Sequence, residues 1–264
     1  MTTASAAVRA VPAAAERPLL DTWNVFVREM RPTLRDPFSL IFNLLQPLVF
    51  LGLFGPLLIG SFKAPVGETL TWFVPGILVM TVLFGSGSTG ANLLMEMQTG
   101  SHERTLVAPI ARSALLVGRA LKEIAPTIAQ AVLIVAVTLP FGFRASPFGL
   151  LAGLVLLALF GVGLGSLSYA LALASRAKDW MFWAVQQSLI FPLMILSGML
   201  LPLDDAPAWM RAVASVNPIS HIVSAERALL TADLLSATVL KGFTAAFLLA
   251  AIGLAVGIGA IRRH

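Results

Sequence analysis

The sequence predicts an all-α integral membrane protein with six transmembrane helices, and three observations carry that prediction. The first is composition. Hydrophobic residues make up 58% of the 264 positions and charged residues 12%, where a soluble domain carries about 25% charged residues. So few charges cannot clothe a soluble surface of this size, whereas lipid solvates an apolar exterior directly. The second is the spacing of those charges. Residues 37–62, 69–95, 124–143, 145–175, 180–203 and 242–261 form neutral runs of 26, 27, 20, 31, 24 and 20 residues. A helix needs about 20 apolar residues to cross a hydrocarbon core of about 30 Å. The third is the alternation of Lys and Arg between successive connections. With the N-terminus inside, the inner segments hold thirteen of these residues and the outer ones five. That asymmetry predicts that both termini are cytoplasmic, and the cell membrane is the expected location.

Taken in order, residues 1–20 are Ala-rich, carry Arg9 and Arg17, and lack a continuous apolar core of signal-peptide length, so they read as a disordered cytoplasmic tail. Residues 21–36 place Trp23, Phe26, Val27, Met30 and Leu34 at helical spacing, with Arg28, Glu29, Arg31 and Arg35 mostly on other faces. This pattern predicts an amphipathic helix lying in the membrane interface; the alternative is a short linker. Residues 37–264 form the membrane domain, with spans expected at 38–60, 71–93, 123–141, 148–173, 181–201 and 240–261. Pro37 suits a first helical turn. Pro47, Pro56 and Pro75 fall inside spans and predict kinks.

Two connections stand out. Residues 95–123 join the second and third spans on the cytoplasmic side, and Gly100 and Pro109 divide them into a short helix, a turn and a helix leading into the next span. This segment reads either as a handle for a cytoplasmic partner or as an amphipathic loop on lipid headgroups. Residues 197–230, on the outer side, are too apolar for a plain loop and too interrupted by Pro202, Pro207 and Pro218 for one span. Short helices folding back into the outer leaflet fit them; surface helices lying flat are the alternative.

Reactive groups are scarce. His102, His221 and His264 all lie outside the expected spans, and no zinc-type motif such as H-E-x-x-H occurs. Ser86 and Ser88, within the run Gly85–Gly90, have no His or Lys in the spans to activate them, so these small residues suit close helix packing instead. The neutral runs carry no Asp, Glu, Arg or His, which argues against an ion-coupled carrier. No Lys follows a Gly, so no Walker A loop exists and the energy for any uphill movement must come from another polypeptide. The net charge of +5 is spread between apolar runs and forms no basic tract, so nucleic acid is not a partner.

Two groups of residues then resemble a known family. Glu96, Gly100-Ser101-His102-Glu103-Arg104-Thr105-Leu106, Pro109, Leu115-Leu116 and Gly118-Arg119 are similar to a "G-T-x-E-x-L-x-x-T-P" loop followed by "L-L-x-G-K". Ser197-Gly198, Pro202, Pro207, Trp209, Asn217-Pro218 and Arg227 resemble an "S-G-x-x-x-P" and "N-P…R" signature before a last span. Both are signatures of permeases of type-2 ABC exporters, close to the daunorubicin-resistance branch. The resemblance runs from about residue 20 onward. Ser101 and His102, Ala108 and Arg119 depart from the family pattern, although Arg119 keeps the positive charge of the usual Lys.

The resemblance implies a homodimer, or a close heterodimer, above two copies of a separate cytoplasmic ATPase that holds ATP and Mg, with no cofactor on this chain. Coupling to that ATPase would use Gly100, Glu103, Arg104, Leu106, Pro109 and Arg112, with the interface helix contributing Trp23, Phe26, Arg28 and Arg31. The outer re-entrant segment would be organised by Pro202, Trp209, Asn217, Pro218 and Arg227. Phe73, Met80, Phe84, Gln186, Ile190 and Met194 are candidates for the cargo path, with core packing or lipid contact as their alternative. An adaptable Met- and Phe-rich lining suits a hydrophobic or amphiphilic drug, antibiotic or lipid. Other readings are export of a polysaccharide or glycolipid, and a non-transporting scaffold that recruits a cytoplasmic partner.

Overall fold

Helix α1 (Pro18–Arg35) begins with a proline at its first position and carries Asp21 in its first turn and Arg35 in its last, the charge order a helix dipole favours. It starts at Pro18 rather than Asp21, ahead of the expected boundary. The structure is a computed structural model and describes residues 18–35, 37–62, 64–100, 117–118, 121–122, 124–176 and 178–263. Of the tail expected at 1–20, residues 18–20 are the first turn of α1 and residues 1–17 lie outside the described residues, as do Glu103, Arg104, Leu106, Pro109 and Arg112 of the loop.

Helix α2 (Pro37–Phe62) runs through Pro47 and Pro56. Phe38, Ile41, Leu45, Val49, Leu53 and Leu57 form an exposed stripe along it, while Leu51 and Leu58 are buried. Spacings of three and four residues put that stripe on one side, the pattern of a helix with one face in lipid.

Helices α3 (Val66–Gly85) and α4 (Gly87–Gln98) make one long rod, interrupted at Ser86, whose N–H still bonds to the Val82 carbonyl at 2.9 Å. α3 is the centre of the main core: every residue from Phe73 to Leu83 is buried. The rod ends at Thr99 and at Gly100, whose φ of +67° is the left-handed geometry that stops helices.

Helix α5 (Ile124–Thr138) closes in a 3₁₀ turn over Leu139–Phe141, followed by Gly142 at φ +91°. Helix α6 (Pro147–Ala174) follows Ser146, whose hydroxyl accepts a bond from the Gly149 N–H at 3.3 Å. After α7 (Asp179–Ile195) come the short helices α8 (Ala208–Val216) and α9 (Pro218–Leu230), then α10 (Ala237–Arg263). Among the described residues the structure is all-helical and without strands.

Four stretches are long and apolar enough to cross a membrane: Val66–Gln98, Ile124–Phe141, Pro147–Ala174 and Ala237–Arg262, among the described residues. The segment Leu45–Ser61 of α2 is apolar but shorter. The span expected at 181–201 ends as a helix at Ile195, because Gly198 takes φ +70° and the chain turns toward Pro202. Its 17 residues reach about 25 Å at 1.5 Å per residue.

The helices approach closely where glycines face one another's backbones. α10 packs along α6 through Gly253 against the Gly163 carbonyl, and Gly76 of α3 abuts the Met199 carbonyl. Gly87 and Gly90 of α4 likewise meet Gln186, Phe182 and Ser168. Small residues permit such contact between apolar helices, where lipid supplies no hydrophobic drive to associate. Gly253→Val should therefore cost about 1–3 kcal/mol by overpacking, read as a lower melting temperature of the detergent-solubilised protein. Gly52, which faces open space on α2, is the contrast: Gly52→Ala should leave the melting temperature unchanged or raise it slightly.

Candidate functional site

One end of the structure gathers the elements around the polar loop. Gly100 lies just beyond the end of α4, and the nearby Gln98 side-chain amide donates to the Asp179 carboxylate at the start of α7. α1 reaches the same connection from its other side. Val25 is 2% exposed, and a Cβ on Gly118 would stand 2.8 Å from the Val25 Cβ and 2.9 Å from the Thr22 carbonyl oxygen. Of the interface-helix candidates, Trp23, Arg28 and Arg31 are exposed and Phe26 is half-buried. The Trp23 and Phe26 rings lie 5.3 Å apart.

The opposite end is tied together by α9. Its N-cap Asn217 accepts the Ile219 N–H at 3.0 Å through Oδ1 and donates through Nδ2 to the Leu193 carbonyl at 3.2 Å. Ser220 donates to the Leu196 carbonyl at 3.1 Å. Both carbonyls belong to the C-terminal end of α7, where helix geometry leaves acceptors without partners. Pro218 occupies the first helical position, where no N–H is needed.

Arg227 binds the turn after α7 and the backbone of α3. Its Nε donates to the Trp72 carbonyl at 3.0 Å and its Nη2 to the Gly198 carbonyl at 2.8 Å. Its guanidinium carbon lies 4.0 Å from the centroid of the Trp72 ring. Burial draws this guanidinium down to about 10, opposed by the nearby Asp204 carboxylate, so it stays charged at neutral pH. One side chain thus joins α9, α3 and the turn after α7. Trp209 and Pro202, from the same segment, are exposed.

Beside Arg227 opens a cleft of about 810 Å³, lined among others by Glu68, Trp72, Gly142, Arg144 and Thr231. It sits where α3 begins, where α5 turns into α6 and where α9 ends. One residue before Arg227, and turned the other way, Glu226 is 0% exposed and neither carboxylate oxygen has a hydrogen-bond partner. The sequence analysis reads 197–230 as short helices folding back into the outer leaflet and does not single out Glu226. The signal was available: Ile219, Ile222, Val223, Glu226, Leu229 and Leu230 repeat at intervals of three and four, so Glu226 stands in the apolar stripe of α9.

The cargo-path candidates gather on the α3 and α7 side of the core. Phe73, Met80, Ile190 and Met194 are buried, while Phe84 and Gln186 are half-buried. Phe84 meets Phe191 edge-on with 6.5 Å between centroids, and Gln186 rests against Gly87. The Oε1 of Gln186 is buried without a partner, as are the hydroxyls of Thr89 and Ser166.

Removing Arg227 takes the donor from the Gly198 carbonyl in the turn after α7 and cuts the cross-helix bond to the Trp72 carbonyl of α3. Arg227→Ala should destabilise the protein by about 2–3 kcal/mol, with Arg227→Lys in between because an ammonium cannot reproduce the fork of the guanidinium. Asn217→Ala should cost about 1 kcal/mol as a lost cap. Thermal melting in detergent, with limited proteolysis at the 196–207 turn, measures all three.

The family described as ABC-2 type transporter matches residues 21–231, most of the chain. The chain is similar to the daunorubicin resistance ABC transporter permease protein DrrB1 of Streptomyces coeruleorubidus, with 28% identity over 236 residues covering 87% of this chain and 83% of that one. It is 32% identical over 197 residues to a putative transport permease, ycf38, of Cyanophora paradoxa, covering 72% of this chain and 67% of the relative. The probable multidrug ABC transporter permease YbhR of Escherichia coli K12 is 24% identical over 158 residues, covering 57% of this chain and 41% of YbhR. With its apolar helices, this chain is a multi-pass membrane protein that belongs to the ABC-2 type transporter family.

Proposed function

We propose that the chain is the membrane permease subunit of an ATP-driven exporter. It works as a pair, a homodimer in the simplest arrangement, above two copies of a separate cytoplasmic ATPase. ATP and Mg belong to that partner, and this chain contributes no cofactor site. α2 and α7 complete six crossings, both termini face the cytoplasm, and the membrane is the cell membrane. The lipid-type stripe on α2 and the roughly 25 Å reach of α7 support that count.

The observation that carries this reading is the seating of Val25 on Gly118. α1 thereby packs against the stem of the connection that begins at Gly100 and contains Glu103, Arg104, Leu106, Pro109 and Arg112. A push on either element reaches α4 and α5 directly. Closure of the ATPase pair would rock these helices as rigid bodies, the usual response of well-packed interfaces. Cargo would pass where α3 meets α7, with Phe84 and Gln186 as the accessible edge and Phe73, Met80, Ile190 and Met194 uncovered as the pair parts. An apolar lining of Phe and Met suits a hydrophobic or amphiphilic molecule such as a drug, an antibiotic or a lipid. The relative named for daunorubicin resistance supports that class.

Charge reversal at Glu103 and Arg104 together, as Glu103→Lys with Arg104→Glu, should leave membrane insertion intact and uncouple ATP hydrolysis from export. Vesicles reconstituted with the ATPase measure both rates. Normal export by a variant that still binds the ATPase would remove the loop from the coupling path. Mass spectrometry of small molecules that co-purify with the complex tests the cargo class.

A further inference from the structure

α9 is a helix of 13 residues, about 20 Å long, and does not span the membrane. Its buried stripe seats it against α3, α6 and α10. Glu226 is the ionisable member of that stripe. Gly153 of α6 lies over its carboxyl: a Cβ there would run into Oε1 and stand 2.9 Å from both Cδ and Oε2. α6 thus leaves room for this carboxyl and for little else. Neither oxygen receives a donor, and the residue is 0% exposed.

No countercharge faces it among the described residues. α6 carries no Asp, Glu, Lys, Arg or His, and its Tyr169 belongs to a separate cluster with Leu93. The charge of α3, Glu68, is exposed at the cleft, where Arg144 is exposed as well. In α10, Lys241 is exposed in the first turn and Arg262 lies near the far end. Arg211 of α8 and the connecting Asp204, Asp205 and Asp233 are exposed. Within α9 itself, Arg227 is spent on the Trp72 and Gly198 carbonyls, and His221 bonds to the Ser215 carbonyl.

An ionised carboxylate buried without donor or partner is far more costly than its neutral acid. We propose that Glu226 is a proton-binding site, and that its proton latches α9 onto α6 at Gly153. The neutral acid fits the apolar seat. Loss of the proton drives the carboxylate toward water, and the water lies one residue away, in the cleft that Arg227 and Ala228 line. Release of α9 from α6 and release of the proton are then one event. Burial pushes the carboxyl up to about 8, consistent with a group that holds its proton in neutral medium. The site rests on the packing of α9 and does not depend on the exporter reading.

Dicyclohexylcarbodiimide, an apolar reagent for protonated carboxyls, tests the site in membranes holding the full chain. Peptide mass spectrometry should find Glu226 modified at pH 6, with labelling falling about tenfold per pH unit above the apparent pKa. A second readout is proton linkage. The folded carboxyl binds its proton more tightly than the unfolded one, whose value is 4.5. Stability is therefore greatest below about 4.5 and declines as pH rises to about 8, the sign for a raised carboxyl. Glu226→Gln mimics the neutral acid, so it should fold and flatten that decline. Absence of labelling at pH 6, equal labelling at pH 6 and pH 10, or an unchanged pH slope in Glu226→Gln would each overturn the assignment.

Discussion

A backbone carbonyl or N–H in hydrocarbon has no water to bond, and each one left unpaired costs several kcal/mol. That constraint organises this molecule. It makes the chain helical, and it puts a price on every helix break at depth. The break after α7 is answered by side chains of α9 and its cap: Asn217 for Leu193, Ser220 for Leu196 and Arg227 for Gly198, while Arg227 also ties α9 to the Trp72 carbonyl inside α3. The segment from 196 to 207 can leave helical geometry because these acceptors are supplied with donors by α9 and its cap Asn217. Arg227 suits the task because its planar fork can reach two carbonyls in different directions while its face rests on an indole.

The same helix shows both ways of placing an ionisable group in an apolar setting. Arg227 keeps its charge by binding carbonyls and a ring. Glu226, on the adjacent position, has none of these and is accommodated by the absence of a side chain at Gly153. Helical geometry turns neighbouring residues about 100° apart, so one faces the cleft and the other the core. α9 is consequently held from two sides by different chemistry. At the other end of the molecule, the seating of Val25 on Gly118 joins α1 to the polar connection. Between the two ends runs the long rod of α3 and α4, which touches the cleft at Glu68 and stops just before Gly100.

Several elements could be located from residue order because their causes are local. The neutral runs around α3 to α6 and α10 are bounded by charges and capped by Ser146 or ended by Gly100 and Gly142. The prolines at 202, 207 and 218 marked the broken outer segment, and the residue pattern around Gly100 and Asn217 pointed to the family. The shortness of α7 was harder to see, since its neutral run continues to Leu203 while the helix ends at Ile195, ahead of the positive φ of Gly198. Glu226 was harder to see because the prolines of the segment drew the reading to its breaks, although the apolar periodicity that contains Glu226 was present.

The amino-acid order by itself determined the all-helical membrane class, the spans near 71–93, 123–141, 148–173 and 240–261, each of which falls on a helical stretch of the structure, and the family signatures. Hydrophobic runs, charge boundaries and cap residues act within a few positions of one another, so they can be read along the chain. The tertiary structure decided which side chains answer the breaks and which carboxyl is left without a partner. Arg227 meets a carbonyl 155 residues away at Trp72, and Glu226 faces Gly153 on another helix. Such pairings depend on which helix faces meet in space, and no local rule of propensity or spacing contains that information.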